Sequence, residues 1–133
     1  MNYSDFFKTI KTIAVVGLSD KKDRYSYQVA EYLMNQGFKI IPVNPNITSF
    51  FGLKSYASLS EIKESVDVVD IFRRSEFVAP IVDEAIKIRA KTVWMQEGVE
   101  DASAAQKARA AGLTVVMNVC MMKKHKHVNS LTR

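Results

Sequence analysis

The chain has 133 residues, 47% of them hydrophobic and 25% charged, which is the length and composition of one globular domain. Five glycines, three prolines and one cysteine exclude a collagen-like chain, a low-complexity chain and a disulfide scaffold. No apolar run approaches about 18 residues, so we expect no membrane span. The polar start of the chain lacks the apolar core of a secretory signal, and with a single cysteine this indicates a cytoplasmic protein.

The net charge of +5 is concentrated at the C-terminal end of the chain. Four basic residues and no acidic residue follow Cys120, so the preceding part of the chain is almost neutral. We therefore expect one domain over residues 1–133 with a basic, solvated tail from about residue 121. Contact of this tail with nucleic acid or an acidic partner is the alternative, and the neutral body disfavours nucleic acid. The sequence indicates no particular protein partner.

Five short runs rich in β-branched residues predict five strands. These runs are Thr12–Val16, Phe38–Val43, Asp67–Phe72, Thr92–Met95 and Leu113–Met117. Most of them are nearly continuous in apolar residues, which is typical of strands covered on both faces of a parallel sheet. The third run alternates through Asp67 and Asp70, which predicts an edge strand.

Helical patterns lie before and between these runs. They cover Ser4–Thr9, Ser26 to Gly37, about Ser75 to Ile88, and Asp101 to Gly112. Ser26 and Asp101 are the predicted N-cap residues, because short polar side chains can accept hydrogen bonds from the first turn of a helix. Gly37 and Gly112 are the predicted C-terminal stops. The segment Pro45–Leu59 has no helical period and is predicted as a loop.

Alternating strands and helices predict a doubly wound α/β fold, with a five-stranded parallel sheet and helices on both faces. The strand order is expected to be 3-2-1-4-5 or 2-1-3-4-5. In either order, ligands bind at the carboxyl ends of the strands, near the point where the order reverses. The loops after Val16, Val43, Phe72 and Met95 should therefore surround one cleft.

The loop after the first strand runs from Gly17 to Ser26 and leads into a helix. Gly17 permits a tight turn, and backbone N–H groups there can hold a phosphate against the helix N-terminus. Lys21, Lys22 and Arg24 add positive charge. The loop has neither the G-x-G-x-x-G nor the Walker A spacing, and a plain strand-to-helix turn is the alternative to phosphate binding.

Three further strand ends carry residues suited to a cofactor. The corner Pro42–Pro45 lacks the acidic residue that a NAD-binding fold places on the ribose, so NAD is disfavoured, and the corner offers apolar contacts to an adenine instead. Arg73 or Arg74 can provide paired donors to a phosphate. Gln96 is polar at a position where a ligand would lie. At each of these positions a purely structural role is the alternative.

Few residues suit catalysis, so we expect no catalytic residue and no metal site. His125 and His127 both lie in the basic tail, and neither a Ser-His-Asp nor a metal-ligand spacing is present. Cys120 is predicted as a small buried residue, with a mixed disulfide to a thiol ligand as the alternative. An enzyme that used the same cleft would need an acid or a base there. The candidates are Asp70, Glu97 and Tyr25.

Several segments together resemble the stand-alone CoA-binding proteins, which are related to the N-terminal nucleotide-binding domain of succinyl-CoA synthetase alpha subunits and acyl-CoA synthetases. The resemblance covers about residues 11–124. The segments that carry it are Ala14–Ser19, Pro42–Pro45, Gly52–Leu59, Val66–Arg74, Lys91–Val99 and Ala110–Met117. It implies a Rossmann-like fold with the order 3-2-1-4-5 and a cleft for the ADP and pantetheine parts of coenzyme A.

The resemblance also implies which residues contact the cofactor. These are Gly17, Leu18 and Ser19 for the pyrophosphate; Arg24 and Ser26 as secondary phosphate contacts; Pro42, Val43 and Asn44 for the adenosine; Phe72 and Arg73 along the groove; and Met95, Gln96 and Gly98 beside the pantetheine path. The implied function is binding of coenzyme A or an acyl-CoA without catalysis. An NAD(P)- or acyl-CoA-dependent enzyme that uses this cleft, and an interaction module that uses the basic tail, remain as alternatives.

Overall fold

A computed structural model describes residues 1–131 of the chain. The strands are β1 Thr12–Val16, β2 Lys39–Val43, β3 Ser49–Phe50, β4 Leu53–Lys54, β5 Val68–Ile71, β6 Thr92–Met95 and β7 Thr114–Val116. The helices are α1 Tyr3–Thr9, α2 Tyr25–Asn35, α3 Val78–Lys87, α4 Ala102–Ala110 and α5 Met121–Leu131. Every predicted strand and helix is present, with shifts of a few residues at the ends.

The main sheet is parallel throughout and has the order β2-β1-β5-β6-β7. Numbered over the five predicted strands alone, this order is 2-1-3-4-5, the second of the two orders expected. A parallel bridge between Val43 and Tyr56 adds one position outside β2. Counting that bridge as the third strand gives the 3-2-1-4-5 pattern, with β7 as a sixth position. The doubly wound, Rossmann-like α/β fold is therefore confirmed.

Helices cover both faces of the sheet. Ala14 and Val16 of β1 face the core beneath α3 and α4, whereas Ile13 and Val15 face the core beneath α1, α2 and α5. Because successive side chains of a strand point to opposite faces, a strand covered twice needs an unbroken apolar run. None of the helices within residues 1–131 is long and apolar enough to cross a membrane.

The run that contains Asp67 and Asp70 forms a central strand, so the prediction of an edge strand is wrong. Asp70 is fully buried within β5. Asp67 precedes the strand, and its Oδ2 accepts hydrogen bonds from the backbone N–H groups of Lys11 and Thr12 at 2.8 and 3.0 Å. Partial burial raises the pKa of Asp67, but these bonds and the ion pair with Lys91 outweigh it and leave the pKa below its usual value. Neither Asp67 nor Asp70 therefore indicates a solvent-exposed face of the sheet.

Two predicted helix caps have different outcomes. Asp101 caps α4, and its side chain accepts a backbone hydrogen bond at 2.9 Å from the first turn. Ser26 does not cap α2, because the helix already begins at Tyr25 and Arg24 is its N-cap residue. The Ser26 hydroxyl instead accepts a hydrogen bond from the Ser19 N–H at 3.0 Å. The polar side chain therefore holds the preceding loop against the helix.

The basic C-terminal segment, predicted as a solvated tail, forms the helix α5 instead. His125 is 7% exposed, and its ring meets Phe7 and Phe38 edge to face. The Tyr32 hydroxyl lies 2.7 Å from its Nδ1. Burial lowers the pKa of His125, so the ring packs as a neutral aromatic group. The tail prediction failed because lysines on the exposed side obscure the apolar positions in the sequence; residues 132–133 lie outside the described part.

The predicted loop Pro45–Leu59 contains a short antiparallel hairpin of β3 and β4. Phe50 of this hairpin is 1% exposed and packs edge to face on Tyr27 of α2, with ring centroids 5.2 Å apart. The hairpin thereby attaches the loop to the same face as α2. Two-residue strands are too short to give a periodic signal, which is why the sequence predicts only a loop here.

Trp94 of β6 packs against aromatic side chains of α1 on one face of the sheet. It has no exposed surface, and the rings of Tyr3 and Phe6 lie 5.9 and 5.7 Å from its ring, centroid to centroid. Its indole N–H donates a hydrogen bond to the Val119 carbonyl at 2.8 Å. A buried indole thus has both apolar contacts and a partner for its polar atom.

Candidate functional site

A cleft of about 680 Å³ lies at the carboxyl ends of β1, β5 and β6. This is the edge of a doubly wound sheet at which ligands bind, and the volume is that of a small-molecule site. A second cleft of about 350 Å³ adjoins it beyond the end of β2. Gly17, Asn44 and Arg73 line both clefts. One extended ligand can therefore occupy the two together.

Most of the predicted site residues meet at the larger cleft. Those that line it are Gly17, Ser19, Arg24, Ser26, Asn44, Phe72, Arg73, Gln96 and Gly98. Leu18 and Met95 have no exposed surface and face the core. Pro42 is buried in β2, and the adjacent Val43 lines the smaller cleft. Contact of any of these residues with a ligand stays a prediction.

Gly17 allows the loop after β1 to pass against the end of β5. Its φ is +86°, and a Cβ at this position would lie 2.3 Å from the Phe72 carbonyl oxygen. Its N–H donates to the Val43 carbonyl at 2.9 Å, which fixes the start of the loop. Only glycine combines this backbone conformation with so close an approach.

Asn44 ties the loops after β1 and β2 together. Its Nδ2 donates to the Leu18 carbonyl at 2.9 Å, and its Oδ1 accepts from the Asn46 N–H at the same distance. Its own N–H donates to the Tyr56 carbonyl at 2.8 Å. The amide side chain thus shapes the rim of the cleft, and the contact with the adenosine that the resemblance implies for Asn44 stays a prediction.

The cationic side chains of the larger cleft differ in their partners. The Arg73 guanidinium lies 4.8 Å from the centre of the Phe77 ring, which holds it beside the cleft. Arg74 lies 3.9 Å from a carboxylate oxygen of Glu76. Lys21 and Arg24 form no ion pair within residues 1–131. Lys21, Arg24 and Arg73 can therefore all pair with an anionic ligand.

A buried polar pair lies beneath the cleft. Gln96 Nε2 donates to Asp70 Oδ1 at 2.7 Å, and the residues are 1% and 0% exposed. Burial raises the pKa of Asp70 to about 7, although the hydrogen bond from Gln96 opposes this shift. Sequence reasoning named Asp70 only as a candidate acid or base for an enzyme that uses this cleft, not among the residues that contact the cofactor. The one signal for it was a carboxylate in the middle of an otherwise apolar strand.

The comparisons with known proteins agree with this architecture. The family model described as a CoA binding domain matches residues 11–126. The chain belongs to the CoA-binding domain family. The uncharacterized protein YneT of Bacillus subtilis is 41% identical over 115 residues, which are 86% of this chain and 85% of that protein. A solved structure of a hypothetical protein from Pyrococcus horikoshii superimposes with a TM-score of 0.92 and 36% identity, covering 95% of this chain and 89% of that one.

Larger enzymes contain a related segment. The ADP-forming 4-hydroxybutyrate–CoA ligase of Nitrosopumilus maritimus is 33% identical over 85 residues, which are 62% of this chain but 12% of the ligase. This CoA-binding domain is thus homologous to the CoA-binding part of ADP-forming acyl-CoA synthetases and corresponds to a small share of their length.

At one end of the cleft, the CoA-binding domain has a contact between Tyr25 and Cys120. The Tyr25 hydroxyl is hydrogen-bonded to the Cys120 sulfur, and burial raises the pKa of Tyr25 above its usual value. Cys120 is 4% exposed, as predicted for a small buried residue. It also lines a separate pocket of about 320 Å³ with Lys123 and His127. The tyrosine therefore stands between the main cleft and this pocket.

Proposed function

We propose that this CoA-binding domain binds coenzyme A or an acyl-CoA in the two adjoining clefts, without chemistry of its own. The observation that carries the proposal is the junction of the clefts, where the Gly17 turn and Arg73 line both, with the start of α2 beside it in the larger cleft. Membership of the family supports the choice of ligand. The free cysteine fits a protein of the cytoplasm.

The phosphate groups fit the junction for electrostatic reasons. The N-terminal end of α2 carries partial positive charge from its unpaired N–H groups and dipole. Lys21, Arg24 and Arg73 add three cations to the lining of the larger cleft. Guanidinium groups donate paired hydrogen bonds to phosphate oxygens. The pyrophosphate of the ligand is therefore assigned to this junction.

The adenine fits the smaller cleft. Its lining includes the apolar side chains of Val43, Pro45, Leu59 and Ile81. A flat aromatic base can be buried against such an apolar surface, because few polar groups of the surface lose their contact with water. The arm of the ligand then extends the other way, along the larger cleft towards Gln96.

An enzyme that uses the same cleft is the second candidate. Asp70 favours it, because a carboxyl with a pKa of about 7 is suited to proton transfer near neutral pH. Turnover of a CoA thioester by the purified protein, abolished by Asp70→Asn, would support this alternative. Saturable binding without turnover would support the first.

Replacing Arg73 with alanine is expected to raise the dissociation constant for coenzyme A about tenfold or more, because a charge-assisted hydrogen bond is worth roughly 1.5–3 kcal/mol. Calorimetric titration of nucleotide-free protein with coenzyme A, dephospho-CoA, ADP and NAD measures it. Arg109→Ala is the matched control, since Arg109 is exposed in the last turn of α4 and does not line either cleft. Absence of coenzyme A binding at millimolar concentrations, or equal losses in the two variants, would contradict the proposal.

A further inference from the structure

Two buried acceptor atoms beneath the cleft lack partners. Asp70 Oδ2 and Gln96 Oε1 have no hydrogen-bond partner within residues 1–131, although both side chains are almost completely buried. The orientation of the Gln96 amide is fixed, because its Nε2 donates to the other Asp70 oxygen. When Asp70 is ionised, the pair therefore presents oxygen atoms, not N–H groups, on its free side. A buried acceptor that is left unpaired lowers the stability of the folded protein.

The pair is placed where a ligand can relieve this cost. Gln96 follows β6 and lies directly beneath the surface of the larger cleft, between the start of α2 and the turn at Gly98. Asp70 lies within the electrostatic range of Tyr25, which lines the same end of the cleft. Val15 and Trp94 flank Asp70 on the neighbouring strands and provide no donor from their side chains at this point.

We propose that Asp70 and Gln96 form a receptor for a hydrogen-bond donor of the bound ligand, and that this donor is an amide N–H of the pantetheine arm. The inference rests on the proposed function and names the part of the ligand that the cleft selects. It makes Gln96 and Asp70 determinants of specificity for coenzyme A over shorter nucleotides.

The chemistry of the ligand singles out the arm. Phosphate oxygens are acceptors and carry negative charge, so they are repelled by two acceptor oxygens. The adenine amino group belongs to the other end of an extended ligand, in the smaller cleft. The pantetheine arm is uncharged and carries two amide N–H groups. A site built to pair with a donor rejects analogues that lack it, because the buried acceptors then stay unpaired.

The first experiment compares coenzyme A with ADP on Gln96→Met, which keeps the length of the side chain and removes the acceptor. Affinity for coenzyme A should fall about tenfold or more, whereas affinity for ADP, which has no arm, should not change. Gln36→Met is the matched control, because Gln36 is exposed at the far end of α2. Asp70→Asn, which keeps an acceptor for Gln96 Nε2, is a second variant that should weaken binding of coenzyme A alone.

Proton release on binding gives an independent readout. A donor at Asp70 Oδ2 favours the ionised carboxylate, so binding of coenzyme A near neutral pH should release protons, and binding of ADP should not. Tyr25 is the titratable group that interacts with Asp70, and Cys120 and Glu97 in turn interact with Tyr25; Glu97 is paired with Lys123 at 3.0 Å. Calorimetry in buffers of different ionisation enthalpy counts the protons. The coenzyme A-specific release should disappear in Asp70→Asn.

The outcomes separate this inference from the proposed function. If the unaltered protein binds ADP and coenzyme A, and Gln96→Met weakens both equally or neither, the receptor assignment is overturned and the binding function stands. If the unaltered protein binds neither ligand, the proposed function fails and the inference fails with it. Selective loss of coenzyme A affinity, with loss of proton release in Asp70→Asn, supports the assignment.

Discussion

Replacing Gly17 with alanine is expected to lower the free energy of unfolding by on the order of 3 kcal/mol and to impair ligand binding. The new Cβ would lie 2.3 Å from the Phe72 carbonyl oxygen and 3.0 Å from its carbon, at a φ of +86°. Because the obstacle is the backbone at the end of β5, a side-chain rotation cannot remove it. The loop after β1 must move, and it forms the wall assigned to the pyrophosphate.

Gly37→Ala is the matched control for this prediction. Gly37 also has a positive φ, +97°, but nothing lies within 4 Å of the position of its Cβ. Its replacement should cost only the conformational penalty, about 1–2 kcal/mol. Urea unfolding of both variants measures the difference. Equal loss of free energy of unfolding in the two variants would show that the close approach to Phe72 does not contribute to the destabilisation.

Asp70→Asn is expected to change the pH dependence of stability. The folded-state pKa of Asp70, about 7, lies above the ordinary value of 3.8, so the native protein keeps a proton in this interval that the unfolded chain has released. The stability of the parent protein should therefore fall as the pH rises from about 4 to about 7 and change no further above that. Asparagine does not titrate. The free energy of unfolding of the variant, relative to that of the parent, should therefore rise by on the order of 4 kcal/mol across the interval.

Urea unfolding of parent and variant at several pH values between about 4 and 8 tests this expectation. His125 and Asp67 also titrate differently in the folded state, but both are present in the two proteins and cancel in the comparison. Asp83→Asn, at a half-buried carboxylate paired with Lys107, is the matched control. If the difference in free energy of unfolding between Asp70→Asn and the parent is constant over the interval, Asp70 does not keep a proton in the folded protein.

The sequence predicted the fold well because both faces of the sheet are covered. In a chain of alternating strands and helices, an unbroken apolar run such as Thr12–Val16 fits little except a strand buried on both sides. Helix ends were predicted where a local hydrogen bond decides them, as at Asp101. At Ser26 the same local rule failed, since its hydroxyl bonds to Ser19 and not to its own helix. Long-range partners of polar side chains are invisible to a local pattern.

The same limitation accounts for the errors at Asp70 and α5. A charged residue within a strand is usually solvated, so Asp70 suggested an edge, but Gln96, distant in sequence, lets it be buried. The basic residues after Cys120 suggested a solvated tail, but His125 among them is enclosed by Phe7, Phe38 and Tyr32 from other parts of the chain. The position of the cleft followed from topology alone, whereas the buried pair beneath it depends on packing that no local pattern encodes.

The position of Trp94 has a practical consequence. It is the one tryptophan of the chain, its side chain is completely buried, and it lies two residues before Gln96. An indole in such surroundings fluoresces at shorter wavelength than one in water, so unfolding should shift the emission to the red. The protein thus carries a built-in optical probe, placed at the end of the cleft where the arm of the ligand is assigned. Both the unfolding and the titration experiments can be followed by it without any added label.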